Sequence, residues 1–122
     1  MDQFEKQKYL NLETFRKNGQ GVKTPVWFAQ NNTAFYVWTQ ATSGKAKRIR
    51  RDGQVKIAPC TVNGELLGTW VDGQAIADAS PQAIQHVRKL MQKKYGLAFI
   101  LFHLMVKLRK TQVTTVRIEL VD

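Results

Sequence analysis

Acids are scarce in this chain. Nine Asp and Glu stand against nineteen Lys and Arg, a formal charge of +10 over 122 residues. That balance predicts attraction to phosphates of some kind without naming them. Cysteine is nearly absent: the lone Cys60 excludes an internal disulfide and fits a reducing, cytoplasmic setting. Long apolar runs are missing too. The longest, LAFILFHLMV at 97 to 106, is half of the roughly twenty residues a span requires, so no membrane partner is expected. The opening MDQFEKQKY has no apolar core after its charges and is not read as a signal peptide. Walker loop, Rossmann glycine fingerprint and nucleophile elbow are all lacking, which removes the common hydrolytic machinery. His86 and His103 fall on different predicted helices with no ligand at metal spacing, so neither a metal nor a catalytic side chain is assigned. Cys60 follows Pro59 inside a predicted strand and reads as core rather than nucleophile.

No linker, repeat or low-complexity stretch divides residues 1–122, and one domain is expected. KYLNLETFR at 8 to 16 alternates apolar and polar, the mark of a half-buried strand. NGQG at 18 to 21 supplies the positive φ angles of a hairpin, and VKTPVWFAQ at 22 to 30 follows as a strand. Asn31-Asn32 turns into AFYVWT at 34 to 39, completing an antiparallel meander. Pro25 cannot donate to a ladder, which points to an edge, a bulge, or a place where something other than a strand meets the backbone. A short helix over 43 to 51, with Ser43 near its N-terminus and Asp52-Gly53 as its stop, precedes strands at 55 to 62 and 67 to 78. Ser80-Pro81 opens a helix with an Ala83, Val87, Leu90, Met91, Tyr95 stripe. Gly96 ends it, a second helix runs to about Lys110, and TTVRIELV at 114 to 121 closes the chain as a strand. Strands this numerous and tightly connected predict an α+β domain built on a small antiparallel barrel.

No acid lies between Glu13 and Asp52, or between Asp78 and Glu119. Within the first gap, five of the seven residues from Lys45 to Arg51 are cationic. A nucleic-acid backbone, a cofactor phosphate and plain solvent are all open as their partners. On a helix Lys45, Arg48 and Arg51 fall near one line while Lys47 and Arg50 point elsewhere, so five charges cannot serve one small ligand. A phosphate here is expected to meet Ser43, Lys45 and one of Lys47 or Arg48, where hydroxyl, cation and free helix N–H groups converge. The preceding strand adds Pro25 among large apolar neighbours, beside Tyr36 and Trp38. A flat heteroaromatic ring fits such a surface, although ordinary core packing is favoured for most of these residues singly and explains Trp27 or Phe28 better than Pro25.

The run TPVWFAQNNTAFYVWTQATSGKAKRIRRDGQVKIAPCTVNGELLGTWVDGQAIA, 24 to 77, resembles the flavin-binding split-barrel proteins related to pyridoxamine 5′-phosphate oxidase. TPVWF, YVWT, SGKAKRIRR, APC and the later W-V-x-G carry the likeness, nearest to oxidoreductases that use FMN or the deazaflavin coenzyme F-420. KKYGLAFILFHLMVKLRK extends it over nearly the whole chain. The resemblance implies a six-stranded antiparallel split β-barrel (Greek-key) with a helix pair before the last strand. It also implies a homodimer with a cofactor site in each groove between protomers, and a small-molecule substrate. The second strand, Val22, Lys23, Thr24, Pro25 and Val26, would run along the flavin ring. Trp38, Thr39, Ser43, Lys45 and one or both of Lys47 and Arg48 would take the phosphate, with Trp70 a contact from the partner chain. Pyridoxamine phosphate oxidases carry a further C-terminal segment with substrate-binding arginine and histidine. This sequence stops at Asp122, and the expected substrate is therefore not a B6 vitamer. A carrier without turnover is the alternative to an oxidoreductase, and a nucleic-acid binder ranks below both.

Overall fold

The computed structural model describes residues 2–108 and 112–121. Six antiparallel strands close a barrel in the order β1-β2-β3-β6-β5-β4. They are β1 Tyr9–Phe15, β2 Gly21–Asn31, β3 Ala34–Gln40, β4 Gln54–Cys60, β5 Val71–Asp78 and β6 Val113–Leu120. The helices are α1 Gly44–Arg51 between β3 and β4, then α2 Pro81–Tyr95 and α3 Leu97–Leu108 between β5 and β6. This is the α+β six-stranded split barrel with a helix pair before its last strand. The last predicted residues of the second helix, 109–110, lie outside the described residues.

The expected turns sit where Asn and Gly can take a left-handed backbone. Asn32 has φ 57° in the β2–β3 connection, and Gly96, at φ 61°, separates α2 from α3. Alternation then sorts side chains to two sides of the wall. Leu10 and Leu12 of β1, Phe28 of β2, Phe35 and Val37 of β3, and Ile57, Val116 and Ile118 fill the barrel. Trp38 and Ala29 face outward instead, and Val87 and Met91 of α2 with Phe99 of α3 cover them. The helix pair is thus held by a second apolar cluster outside the barrel. Cys60 is buried, and burial raises its thiol pKa, as suits a core residue.

Two features depart from the sequence reading. The fifth strand begins at Val71 rather than near residue 67. Before it, the Gln3 side chain takes the place of a strand partner, accepting from the Thr69 N–H at 2.9 Å and donating to the Thr69 carbonyl at 2.8 Å. Residues ahead of β1 are also structural: Phe4 is buried edge-on against Phe28 and Phe35 as part of the barrel core.

Candidate functional site

The barrel closes between β2 and β3 over only four registered pairs, Phe28↔Val37 to Asn31↔Ala34. Beyond them β2 continues paired with β1 alone, from Tyr9↔Trp27 to Phe15↔Gly21. On the other side, Trp38, Thr39 and Gln40 of β3 stay with β6. The wall therefore splits where Trp27 would meet Trp38. Pro25 lies on the freed half of β2, at a position where a missing N–H costs no ladder bond. By alternation along the strand, the Phe28 N–H and C=O turn toward β1, so those of Trp27 and the Pro25 carbonyl face the opening.

A cavity of about 420 Å³ occupies the split. Seven predicted site residues line it: Thr24, Pro25 and Val26 on one bank, Trp38, Thr39, Ser43 and Lys45 on the other. The remaining five do not. Val22 and Lys23 lie farther along β2, opposite Thr14 and Glu13. Lys23 Nζ stands 5.4 Å above the ring of Trp70, which precedes β5. Lys47 is exposed on α1. Arg48 turns back to β1, where its Nε donates to Thr14 Oγ1 at 2.7 Å.

Sequence reading missed Tyr9, Trp27, Gln40, Met91, Phe99 and Phe102, which complete the lining. Met91 and Tyr95 shared a legible stripe on the first helix of the pair, but nothing local says that this stripe meets the split. Trp27, for which core packing is the expectation, lies instead at the opening, stacked on Tyr95.

One end of the cavity is electropositive. Ser43 caps α1, accepting from the Ala46 N–H at 3.2 Å, and its Oγ stands 3.4 Å from Thr39 Oγ1. The first N–H groups of α1 have no intrahelical partner and carry the positive end of the helix dipole. Lys45 joins them with its pKa lowered, first by burial and then by the neighbouring Arg48 charge. Both effects disfavour the ammonium, and a bound anion would oppose them. Among the described residues the ion pair present is Arg117–Glu119, far along β6 from this end. The other end is aromatic. Trp38 lines it, with its Nε1 buried and without a hydrogen-bond partner among the described residues. Together these groups offer an anion seat, a flat apolar bank, and hydrogen-bonding groups on the rim, which is what a mononucleotide-like tail and a ring system require.

Solved structures share this architecture. The heme storage protein HutZ from Vibrio cholerae superimposes with a TM-score of 0.74 at 16% identity, over 97% of this chain and 84% of that one. A conserved hypothetical protein from Mycobacterium tuberculosis gives 0.71 at 25% identity, over 96% and 79%. A candidate pyridoxamine 5′-phosphate oxidase from Listeria innocua gives 0.69 at 10% identity, over 98% and 88%. The fold is the pyridoxamine-phosphate-oxidase-like split barrel. No protein-family profile and no curated protein sequence matches the chain. The split-barrel likeness spans oxidases and heme proteins alike, so the fold by itself does not choose between them.

Proposed function

We propose that this split barrel is a flavin- or deazaflavin-dependent oxidoreductase acting on a small molecule, and that it works as a homodimer. The observation that carries the reading is the seating of Lys45, Ser43 and the start of α1 at one end of the split, with the Pro25 strand and Trp38 along it. In that role Lys45 and Ser43 hold the phosphate, and Thr24, Pro25 and Val26 lie along the rings. A bound flavin supplies the hydride chemistry, so the chain need only bind, orient and exclude water. That division fits a lining without His, Cys, Asp or Glu. FMN is the first candidate and coenzyme F-420 the second.

Two competing ligands fit less well. A heme would find neither imidazole nor thiolate on the cavity wall, only the Tyr9 phenol and the Met91 thioether, although HutZ of the same fold is described as a heme storage protein. A nucleic-acid backbone would find few free cations on α1. Arg48 bonds Thr14, Arg50 donates to the Ala41 carbonyl, and Arg51 donates to the Phe15 carbonyl. The lack of any carboxylate or imidazole in the lining also supports a second reading, a carrier that binds the cofactor without turnover.

Titrating the purified protein with FMN, deazaflavin and hemin, followed by absorbance and Trp fluorescence, separates the ligands. Saturable binding of FMN or deazaflavin is expected. Sustained NAD(P)H- or reduced-deazaflavin-driven reduction of an acceptor panel would exclude the carrier. Failure of both ring systems to bind would end the oxidoreductase reading.

A further inference from the structure

α3 presents an apolar surface that the fold does not cover. Phe99 is buried against Trp38 and Phe102 lines the split, but Leu97, Ile100, Leu101, Leu104 and Met105 are all about half exposed or more. Five large apolar side chains on three turns form a patch of the kind that marks an interaction site. Its surroundings say what fits it. Among the described residues, α2 beside it carries Arg88, Lys89, Lys93 and Lys94 and no acid. Beside the start of α3, a second cavity of about 460 Å³ is lined by Lys6, Lys8 and Lys94 with Tyr95 and Ala98, and by no carboxylate. Lys6 and Lys8 are exposed. An apolar helix bordered by a cationic cleft matches the boundary of an anionic bilayer, with acyl chains beneath and phosphates beside. It matches a second copy of this chain poorly. A twofold contact across α3 would bring these cations together with no acid from the helix pair to answer them.

We infer that α3 docks on anionic phospholipid membranes, lying in the interface with its exposed apolar side chains among the acyl chains and Lys6 and Lys8 at the headgroup phosphates. The helix does not span: twelve residues reach about 18 Å against a hydrocarbon core of about 30 Å. Among the described residues no helix is long and apolar enough to cross a membrane. The sequence reading excluded a membrane partner on length alone, and length bears only on spanning. The inference does not depend on which cofactor the split holds.

Co-sedimentation of the full chain with phosphatidylcholine vesicles, with and without phosphatidylglycerol, tests it. Binding to the anionic vesicles and not the neutral ones is expected. The double variant Leu101→Asn, Leu104→Asn keeps the net charge and should bind about tenfold more weakly or worse. The pair Lys6→Gln, Lys8→Gln should also weaken binding. Should the leucine variant fail to fold, wild-type Trp fluorescence serves instead. Trp27 lies 6.0 Å from the Phe102 ring, and brominated acyl chains in anionic vesicles should quench it. Three results would overturn the inference: no binding to anionic vesicles; binding indifferent to the leucine substitutions and unquenched, which is bulk charge alone; or no vesicle binding together with a dimer that those substitutions split.

Discussion

The ring of Tyr95 lies flat on Trp27, with centroids 4.5 Å apart and planes 9° from parallel. Its hydroxyl reaches past that stack to the backbone of the next residue, accepting from the Phe28 N–H at 2.9 Å. The same oxygen stands 2.7 Å from the carbonyls of Phe28 and Lys8, either of which takes its proton. Since β1–β2 pairing stops at Tyr9↔Trp27, this hydroxyl occupies the next rung of the ladder. One side chain from the end of α2 therefore ties the helix pair to the strand that borders the split.

Tyr95→Phe should retain the stack and lose the rung. A buried backbone donor left without its acceptor costs about 1–3 kcal/mol, to be read as a lowered urea midpoint. Burial pushes the Tyr95 phenol well above its ordinary range, so the substitution should also delete the latest step of the alkaline tyrosine absorbance titration.

Lys94 places its Nζ 3.4 Å from the centre of the Phe28 ring and donates to the Phe28 carbonyl at 2.8 Å. Burial lowers its pKa from 10.5 to about 8. A lysine whose folded pKa is depressed is penalised while charged. The unfolded chain holds more protons between pH 8 and 10.5, so stability from this group rises with pH across that window. Wild type measured against Lys94→Met should therefore gain in denaturation midpoint from pH 7 to pH 9.5. A difference that is flat or falls with pH would contradict the assignment.

Ser43 and Ser80 cap α1 and α2 with the same geometry, each accepting from an N–H three residues on at 3.2 Å. Either Ser→Ala change should cost about 1 kcal/mol of stability. Only Ser43 lines the split. FMN affinity, measured at a temperature where both variants are folded, should fall for Ser43→Ala and not for Ser80→Ala.

Lys45→Ala should weaken cofactor binding by about tenfold or more, the worth of a charge-assisted contact. Lys47→Ala should leave affinity within about twofold, since an exposed cation acts at screened distance. Equal losses for the two would mean that the anion is attracted by general charge and not seated at the start of α1.

Most of the fold was legible because its determinants are local. Alternation in KYLNLETFR and TTVRIELV, the Asn-Gly turns, and the Ser80-Pro81 and Gly96 boundaries each act within a few residues, where propensity and turn chemistry decide. The fifth strand was misplaced because Gln3, sixty-six residues from Thr69 in sequence, completes the backbone bonds that alternation alone would assign to a strand. Phe4 escaped notice for the same reason, as a lone aromatic ahead of the first periodic segment.

The candidate site was half readable. Ser43, Lys45 and Pro25 stand out by residue type, because a cap, a cation in an acid-free segment and a proline in a strand each break a local rule. Lys47 and Arg48 could not be told from each other along the chain. What separates them is that the fold offers Arg48 the Thr14 hydroxyl and leaves Lys47 in solvent. The sequence by itself determined the strands, the caps and the surplus of positive charge, since these follow from neighbours a few bonds apart. Only the tertiary structure decided where the barrel stops pairing, which cations face that opening, and that α3 closes one side of it while leaving its other side bare. Those outcomes rest on contacts between residues distant in sequence, and no local pattern encodes them.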